Sequence, residues 1–175
     1  ATVIREREIA VGRRIPFHTD AVQAAGFLDL DVNQLDVDLL SLSAHKFYGP
    51  KGCGALSVRH GTPLTRHNHG GRQELDRRSG TENVPLIVGA GEALRIASDN
   101  RMSASTACAA LRDSLIDNVL DQVAGTTLNG PGRGRSRLPN NLNFCIEGLD
   151  GDATVMGLAA RGIAASTGSA CSTGS

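Results

Sequence analysis

The chain has 175 residues, with 18 Lys and Arg against 18 Asp and Glu, and 40% of its residues are hydrophobic. That length suits one medium domain or pieces of two, and the balanced charge gives no electrostatic reason to expect a nucleic-acid partner. No apolar run approaches the roughly 18 to 20 residues that cross a bilayer, so a membrane is not expected as a partner either.

In chain order, the segment over residues 1–10 carries Arg5, Glu6, Arg7 and Glu8, which is the wrong composition for a secretory signal peptide. It reads as the tail of a helix closed by Gly12. The chain does not start with Met, so the native start is expected upstream. Residues 14–20 read as a strand with Ile15 and Phe17 apolar, residues 37–42 as a second and residues 53–58 as a third, the last entered through the Gly49-Pro50-Lys51-Gly52 turn. A turn and one helical turn are expected between the first two. The long polar stretch over residues 62–81 contains Gly70, Gly71 and Gly80, and a loop of that length is more often functional than idle.

Helical spacing follows at Leu86, Val88, Ala90, Ala93, Leu94 and Ala97, and a second helix is expected over residues 103–123 with Leu111, Leu115, Ile116 and Val119 on one face. Residues 141–146 read as a strand, 151–161 as a helix and 163–165 as a short strand. Arg133, Arg135 and Arg137 between glycines read as a solvated mobile loop. Alternating strands and helices predict an α/β architecture, with a domain boundary near Asp99.

Four cysteines occur with no CxxC pair, so free thiols in a reducing compartment, by default the cytoplasm, are expected. Cys53 and Cys145 in strands and Cys108 in a helix read as small core residues. His60, His67 and His69 have no suitably spaced Cys or carboxylate to complete a metal site, so no metal is expected.

The densest polar constellation is Ser41-Leu-Ser43-Ala44-His45-Lys46, directly after an apolar strand. A lysine there could form an imine with a carbonyl compound, with Ser43 and His45 donating to an anion such as phosphate. On spacing alone, the reading of Lys46 as a surface lysine leads. His18-Thr-Asp20-Ala-Val-Gln23 ends the preceding strand, where α/β sheets bind ligands. Asp20 and Gln23 could flank a heteroaromatic ring there, although Asp20 by itself reads as a turn or cap residue.

These segments, together with Gly49-Pro-Lys-Gly52, Arg78-Ser-Gly-Thr81-Glu-Asn-Val84 and Ser169-Ala-Cys171-Ser, resemble cysteine desulfurases of the NifS/IscS type in the order found there. That family is the class V branch of the fold type I aminotransferases. The likeness runs along nearly the whole chain. It implies a partial fold type I pyridoxal-phosphate-dependent transferase: residues 1–98 as the C-terminal part of the large cofactor domain, and residues 99–175 as part of the small C-terminal domain.

Carried over by position, the resemblance implies that Lys46 holds pyridoxal 5'-phosphate and serves as the proton-transfer base. It also implies that Asp20 pairs with the pyridine nitrogen, Gln23 binds the phenolic oxygen, and Ser43 and His45 bind the phosphate. Thr81 would reach the phosphate of a neighbouring subunit, which implies a homodimer. Cys171, among small neighbours, would take sulfur from L-cysteine as a persulfide and release L-alanine, for delivery to a sulfur-acceptor or scaffold protein in iron–sulfur cluster or thio-cofactor synthesis.

Arg72 stands where a glycine is common in the family. The family fold is about twice this length, so truncation at both ends is expected. That would leave out a ring-stacking histidine and a substrate-gripping arginine, leave the piece inactive, and expose apolar surface and strand edges. A selenocysteine lyase on the same scaffold, or a non-catalytic fragment that only binds a partner, are the alternatives.

Overall fold

A computed structural model describes residues 1–134 and 136–168, and the chain divides into two compact units, Ala1–Ser105 and Thr106–Ser175. In the first unit, β1 (His18–Asp20), β2 (Leu39–Ser43) and β3 (Gly54–Val58) form one sheet in the order β1-β2-β3. β1 runs parallel to β2, with His18 opposite Leu39 and Asp20 opposite Ser41. β3 runs antiparallel to β2, with Ser43 opposite Gly54.

Side chains alternate across a strand, so Leu40 and Leu42 face one way and Leu39, Ser41 and Ser43 the other. Leu40 is buried with Ala21 and Val37 against Phe17, Ala24, Leu30, Val32 and Leu42. Behind the end of β2, Ala25, Ala44 and Phe47 are buried against Leu42, Cys53, Ala90, Ala93, Leu94 and Ala97. Ala90, Ala93, Leu94 and Ala97 come from α4 (Val84–Gln122), whose alanines allow close approach.

Gly49 sits in the tightest part of this packing. A Cβ there would lie 2.9 Å from the Ala44 carbonyl oxygen and 3.2 Å from the Ala93 Cβ. Gly49→Val is expected to destabilise this unit by about 1–3 kcal/mol through overpacking, read as a lower denaturant midpoint at unchanged slope.

The strand expected over residues 14–20 shortens to β1. Pro16 has no amide to offer a ladder, and the Phe17 N–H donates to the Asp38 carboxylate at 2.8 Å instead. α1 (Thr2–Val11) ends at Gly12 in the left-handed region, φ 65°, where glycine carries no Cβ penalty. None of its residues is buried. It is held by charge instead: Arg5 donates to Asp36 at 2.8 Å and to Asp38 at 3.1 Å. Asp31 caps α2 (Val32–Leu35) by accepting the Asn33 N–H.

The separate helices expected on either side of Asp99 are one helix. No Gly or Pro interrupts residues 98–102, and Arg95 bridges Glu92 and Asp99, each at 2.7 Å. Asn100 and Ser103 turn their side chains onto the helix's own carbonyls at 2.9 Å, so the polar stretch is compatible with continued helix.

In the second unit, β4 (Thr126–Leu128) pairs antiparallel with β5 (Phe144–Ile146). The sequence did not single out β4, and β5 is shorter than the expected 141–146. Cys145 is exposed on β5, which corrects its assignment to the core: the period of two buries Phe144 and Ile146 further instead.

The loop between these strands is not solvated at Arg137, which is 5% exposed. Its guanidinium donates to the Pro131 carbonyl at 2.8 Å, to Asn141 Oδ1 at 3.0 Å and to the Asn129 carbonyl. Buried Arg112 donates to the Leu138 carbonyl at 3.0 Å and pairs with Asp113 at 2.8 Å. Arg133 pairs with Asp117; Arg135 lies outside the described residues. α5 (Gly151–Ala159) is capped by Asp150, which accepts the Ala153 N–H at 2.8 Å. No strand forms over residues 163–165; the Ile163 N–H instead bonds back to Leu158.

The expected exposure of apolar surface is present: Val3, Ile9, Leu75, Met102, Leu111 and Met156 are each more than 70% exposed. β1 also has a neighbour on one side alone within its sheet. Among the described residues, no helix is long and apolar enough to cross a membrane.

Candidate functional site

β1 and β2 are parallel, so their carboxyl ends lie at the same edge of the sheet. Both of the polar motifs at strand ends are therefore delivered to one place. Asp20 closes β1, and Ser43 closes β2. The chain then enters a single 3-10 turn, Ala44–Phe47, which holds His45 and Lys46. Ala44 and Phe47 are the buried residues of that turn, and His45 and Lys46 are exposed. The alternation is what a short helix produces when two apolar residues anchor it and the intervening pair is left to solvent.

The turn ends at Tyr48 in the left-handed region, φ 65°, with its side chain 98% exposed. A non-glycine residue there carries a backbone cost of about 1 kcal/mol. The buried Phe47 and the close approach of Gly49 hold it in place.

Ser43 Oγ and His45 Nδ1 are 2.9 Å apart, so the hydroxyl and the imidazole form one polar unit beside Lys46 in the chain. Asp20 is exposed, and its Oδ1 accepts the Val22 N–H at 3.0 Å. Its turn role and its position at the carboxyl end of β1 thus coexist. Gln23 is exposed in the turn that follows. One carboxylate, one hydroxyl–imidazole pair and one primary amine are thereby gathered at the end of a parallel strand pair.

A bound pyridoxal phosphate would need an anion facing its ring nitrogen, donors for its phosphate and an amine for its carbonyl carbon. The donor set supplies each of these, so the residues present fit the group.

Thr81 is exposed just before α4, following Gly80 at φ 106°. The loop leading to it is internally bonded: Ser79 Oγ donates to the His69 carbonyl at 3.1 Å, and the Gly80 N–H donates to Gln73 Oε1 at 3.0 Å. Arg66 pairs with Asp76. Its short segment α3 (Gln73–Asp76) is a left-handed turn, with Glu74, Leu75 and Asp76 all at positive φ. Cys171 and its flanking residues from 169 onward lie outside the described residues. Among the described residues, no group of His, Cys, Asp and Glu is arranged to hold a metal ion.

One contact in this region has no assigned role in the sequence motifs. His18 Nε2 lies 3.1 Å from Ser41 Oγ, across β1 and β2. Both residues belong to the motifs quoted above, but their pairing depends on strand register, and no local spacing reveals that.

The strand-end edge carries a donor set that a pyridoxal-phosphate group would fit. Residues 6–175 match the aminotransferase class-V family, and the chain belongs to that family. It is 45% identical over 168 residues to a cysteine desulfurase IscS of Clostridium botulinum, covering 96% of this chain and 42% of that relative. It is 49% identical to a cysteine desulfurase IscS of Methanosarcina thermophila, covering 96% and 41%. The solved structure of a NifS-like protein superposes with a TM-score of 0.82 at 36% identity, covering 93% of this chain and 43% of the other. The chain thus spans about two fifths of the length of the curated relatives it matches. The resemblance and the partial fold type I architecture expected from the motifs both stand.

Proposed function

We propose that this chain carries the cofactor lysine and the sulfur-accepting cysteine of a pyridoxal-phosphate-dependent cysteine desulfurase. The observation that carries this is the convergence of Asp20 with the Ser43–His45–Lys46 turn at one edge of a parallel strand pair. It occurs in a chain whose relatives are named cysteine desulfurase.

When bound, pyridoxal phosphate supplies an electron sink that weakens bonds at the carbon bearing the substrate amine. Lys46 Nζ would hold the cofactor and, when free of it, would hold or release a proton at that carbon. The Asp20 carboxylate stabilises positive charge on the ring nitrogen. Gln23 orients the phenolic oxygen, and the Ser43–His45 pair binds phosphate oxygens. Cys171, as thiolate, accepts the sulfur of L-cysteine: a sulfur–sulfur bond forms, the carbon–sulfur bond of the substrate breaks with its electron pair left on carbon, that carbon takes up a proton, and L-alanine leaves.

Residues 1–98 are assigned to the large cofactor domain and residues 99–175 to the small domain. Thr81 is assigned to the phosphate of a second copy, in a homodimer, and the persulfide to an acceptor protein that serves iron–sulfur cluster or thio-cofactor synthesis. The free thiols at Cys53, Cys108 and Cys145 suit the reducing cytoplasm. The chain by itself is assigned cofactor capture and little turnover.

The test is to incubate the chain with pyridoxal phosphate, reduce with borohydride and map the label by peptide mass spectrometry. Addition of L-cysteine before reduction then allows persulfide to be sought at Cys171. Labelling concentrated at Lys46 over Lys51, with any persulfide lost in Cys171→Ser, is the expected result. Equal labelling of both lysines, or none, overturns the assignment for this chain.

A further inference from the structure

We infer that His18 and Ser41 form a positioning pair that sets the offset between the Asp20 carboxylate and the Ser43–His45–Lys46 turn; this rests on the cofactor site proposed above. β1 has three residues and pairs within its sheet with β2 alone. A ladder that short specifies its register weakly, and a slip of one residue would turn Asp20 to the opposite face.

Ser41 counters that slip twice. Its carbonyl accepts the Ala21 N–H at 3.0 Å, and its hydroxyl meets His18 Nε2 at 3.1 Å. The first bond fixes the residue that follows Asp20, and the second fixes the residue two before it. The carboxylate is held in turn by the Val22 N–H at 3.0 Å, so its direction follows the same turn.

The period of two places His18 and Asp20 on one face, with Ser41 and Ser43 beside them on β2. A ligand gripped at one end by Asp20 and at the other by Ser43 and His45 spans two strands. Its fit then depends on how far one strand is offset along the other. The His18–Ser41 contact is the described side-chain bond that ties that offset across these two strands.

The variants are Ser41→Ala and His18→Phe, with Ser41→Thr and His18→Gln as conservative replacements that keep a hydroxyl and a polar nitrogen. Pyridoxal phosphate affinity is measured by titration with the label mapped at Lys46, and the thermal midpoint is measured beside it. A typical intramolecular hydrogen bond is worth about 0.5–1.5 kcal/mol, so affinity in the first two variants is expected to fall about three- to tenfold. Amide exchange at Ala21 and Val22, read without cofactor, is expected to quicken in the same two variants. The conservative pair is expected to restore both readouts at a similar thermal midpoint.

Unchanged affinity in Ser41→Ala and His18→Phe overturns the pair. Equal loss in all of the variants, or loss that tracks the thermal midpoint, overturns it as well, because that is general destabilisation. If the unaltered chain takes no selective label at Lys46, the cofactor site itself fails and the positioning role falls with it.

Discussion

In Lys46→Ala, borohydride reduction after incubation with pyridoxal phosphate is expected to leave no label in the peptide that contains residues 43–51, while Lys51 in the same peptide remains intact. The two lysines sit close in the chain and differ in placement. Lys46 lies in the 3-10 turn anchored by Ala44 and Phe47, next to the Ser43–His45 pair. Lys51 lies in the exposed turn that leads to β3. A lysine reacts selectively only if neighbouring donors hold the aldehyde in place, which is a proximity effect. Asp20→Ala keeps the amine but removes the anion proposed to face the ring nitrogen. A hydrogen bond to a charged group is worth roughly 1.5–3 kcal/mol, so label at Lys46 is expected to fall tenfold or more at limiting cofactor. Wild-type labelling in Lys46→Ala, moved to Lys51, would mean that the edge does not select its amine.

Asp38→Ala is expected to cost the first unit about 3 kcal/mol or more. Asp38 is 3% exposed, and guanidinium groups surround it: Arg14 and Arg5 donate to its oxygens, and Arg59 approaches within 3.5 Å. Removing the carboxylate leaves those cations facing one another around a buried position, which typically costs 3–5 kcal/mol. Exposed Arg13 is the control, and Arg13→Ala is expected to change stability by less than about 0.5 kcal/mol. Denaturant unfolding of both variants checks the difference. A loss no larger in Asp38→Ala than in Arg13→Ala would mean that the cluster is decorative.

The same cluster gives a pH dependence. Burial pushes the Asp38 carboxyl up, but hydrogen bonds from Arg14, the Phe17 N–H and Arg5, with the charge of Arg5, outweigh it and hold the pKa at about 2, below the ordinary 3.8. The Asp36 carboxyl is also held below the carboxylate range, chiefly by its hydrogen bond from Arg5. A carboxyl depressed in the folded state binds its proton more readily when unfolded. Its stabilisation is therefore complete above the unfolded pKa near 4 and drains away as pH falls toward about 2. For Asp38 that amounts to on the order of 2 kcal/mol. Stability measured from pH 6 down to 2 is expected to fall across that window in the parent chain and to fall less in Asp38→Asn.

The family was legible in the sequence because its motifs lie in short contiguous runs. Residues 18–23, 43–52 and 78–84 each keep their meaning without knowledge of what packs against them. Gly12 as a helix stop and the helix expected over residues 151–161, observed as Gly151–Ala159, were legible for a related reason, since capping and helical period are local effects.

What the tertiary structure decided involves partners far apart in the chain. The parallel register of β1 on β2 brings Asp20 beside Ser41 and gathers two motifs at one end of the strand pair. Asp38 draws Arg5, Arg14 and the Phe17 amide to itself, and so shortens the first strand. Arg137, which reads as a solvated residue in a glycine-rich loop, is buried because backbone carbonyls converge on it. The His18–Ser41 contact exists only once the register is set. Local propensity and motif spacing act over a few residues and can be read directly. Register, ion-pair choice and burial depend on free energies shared among distant segments, and those are settled when the segments meet.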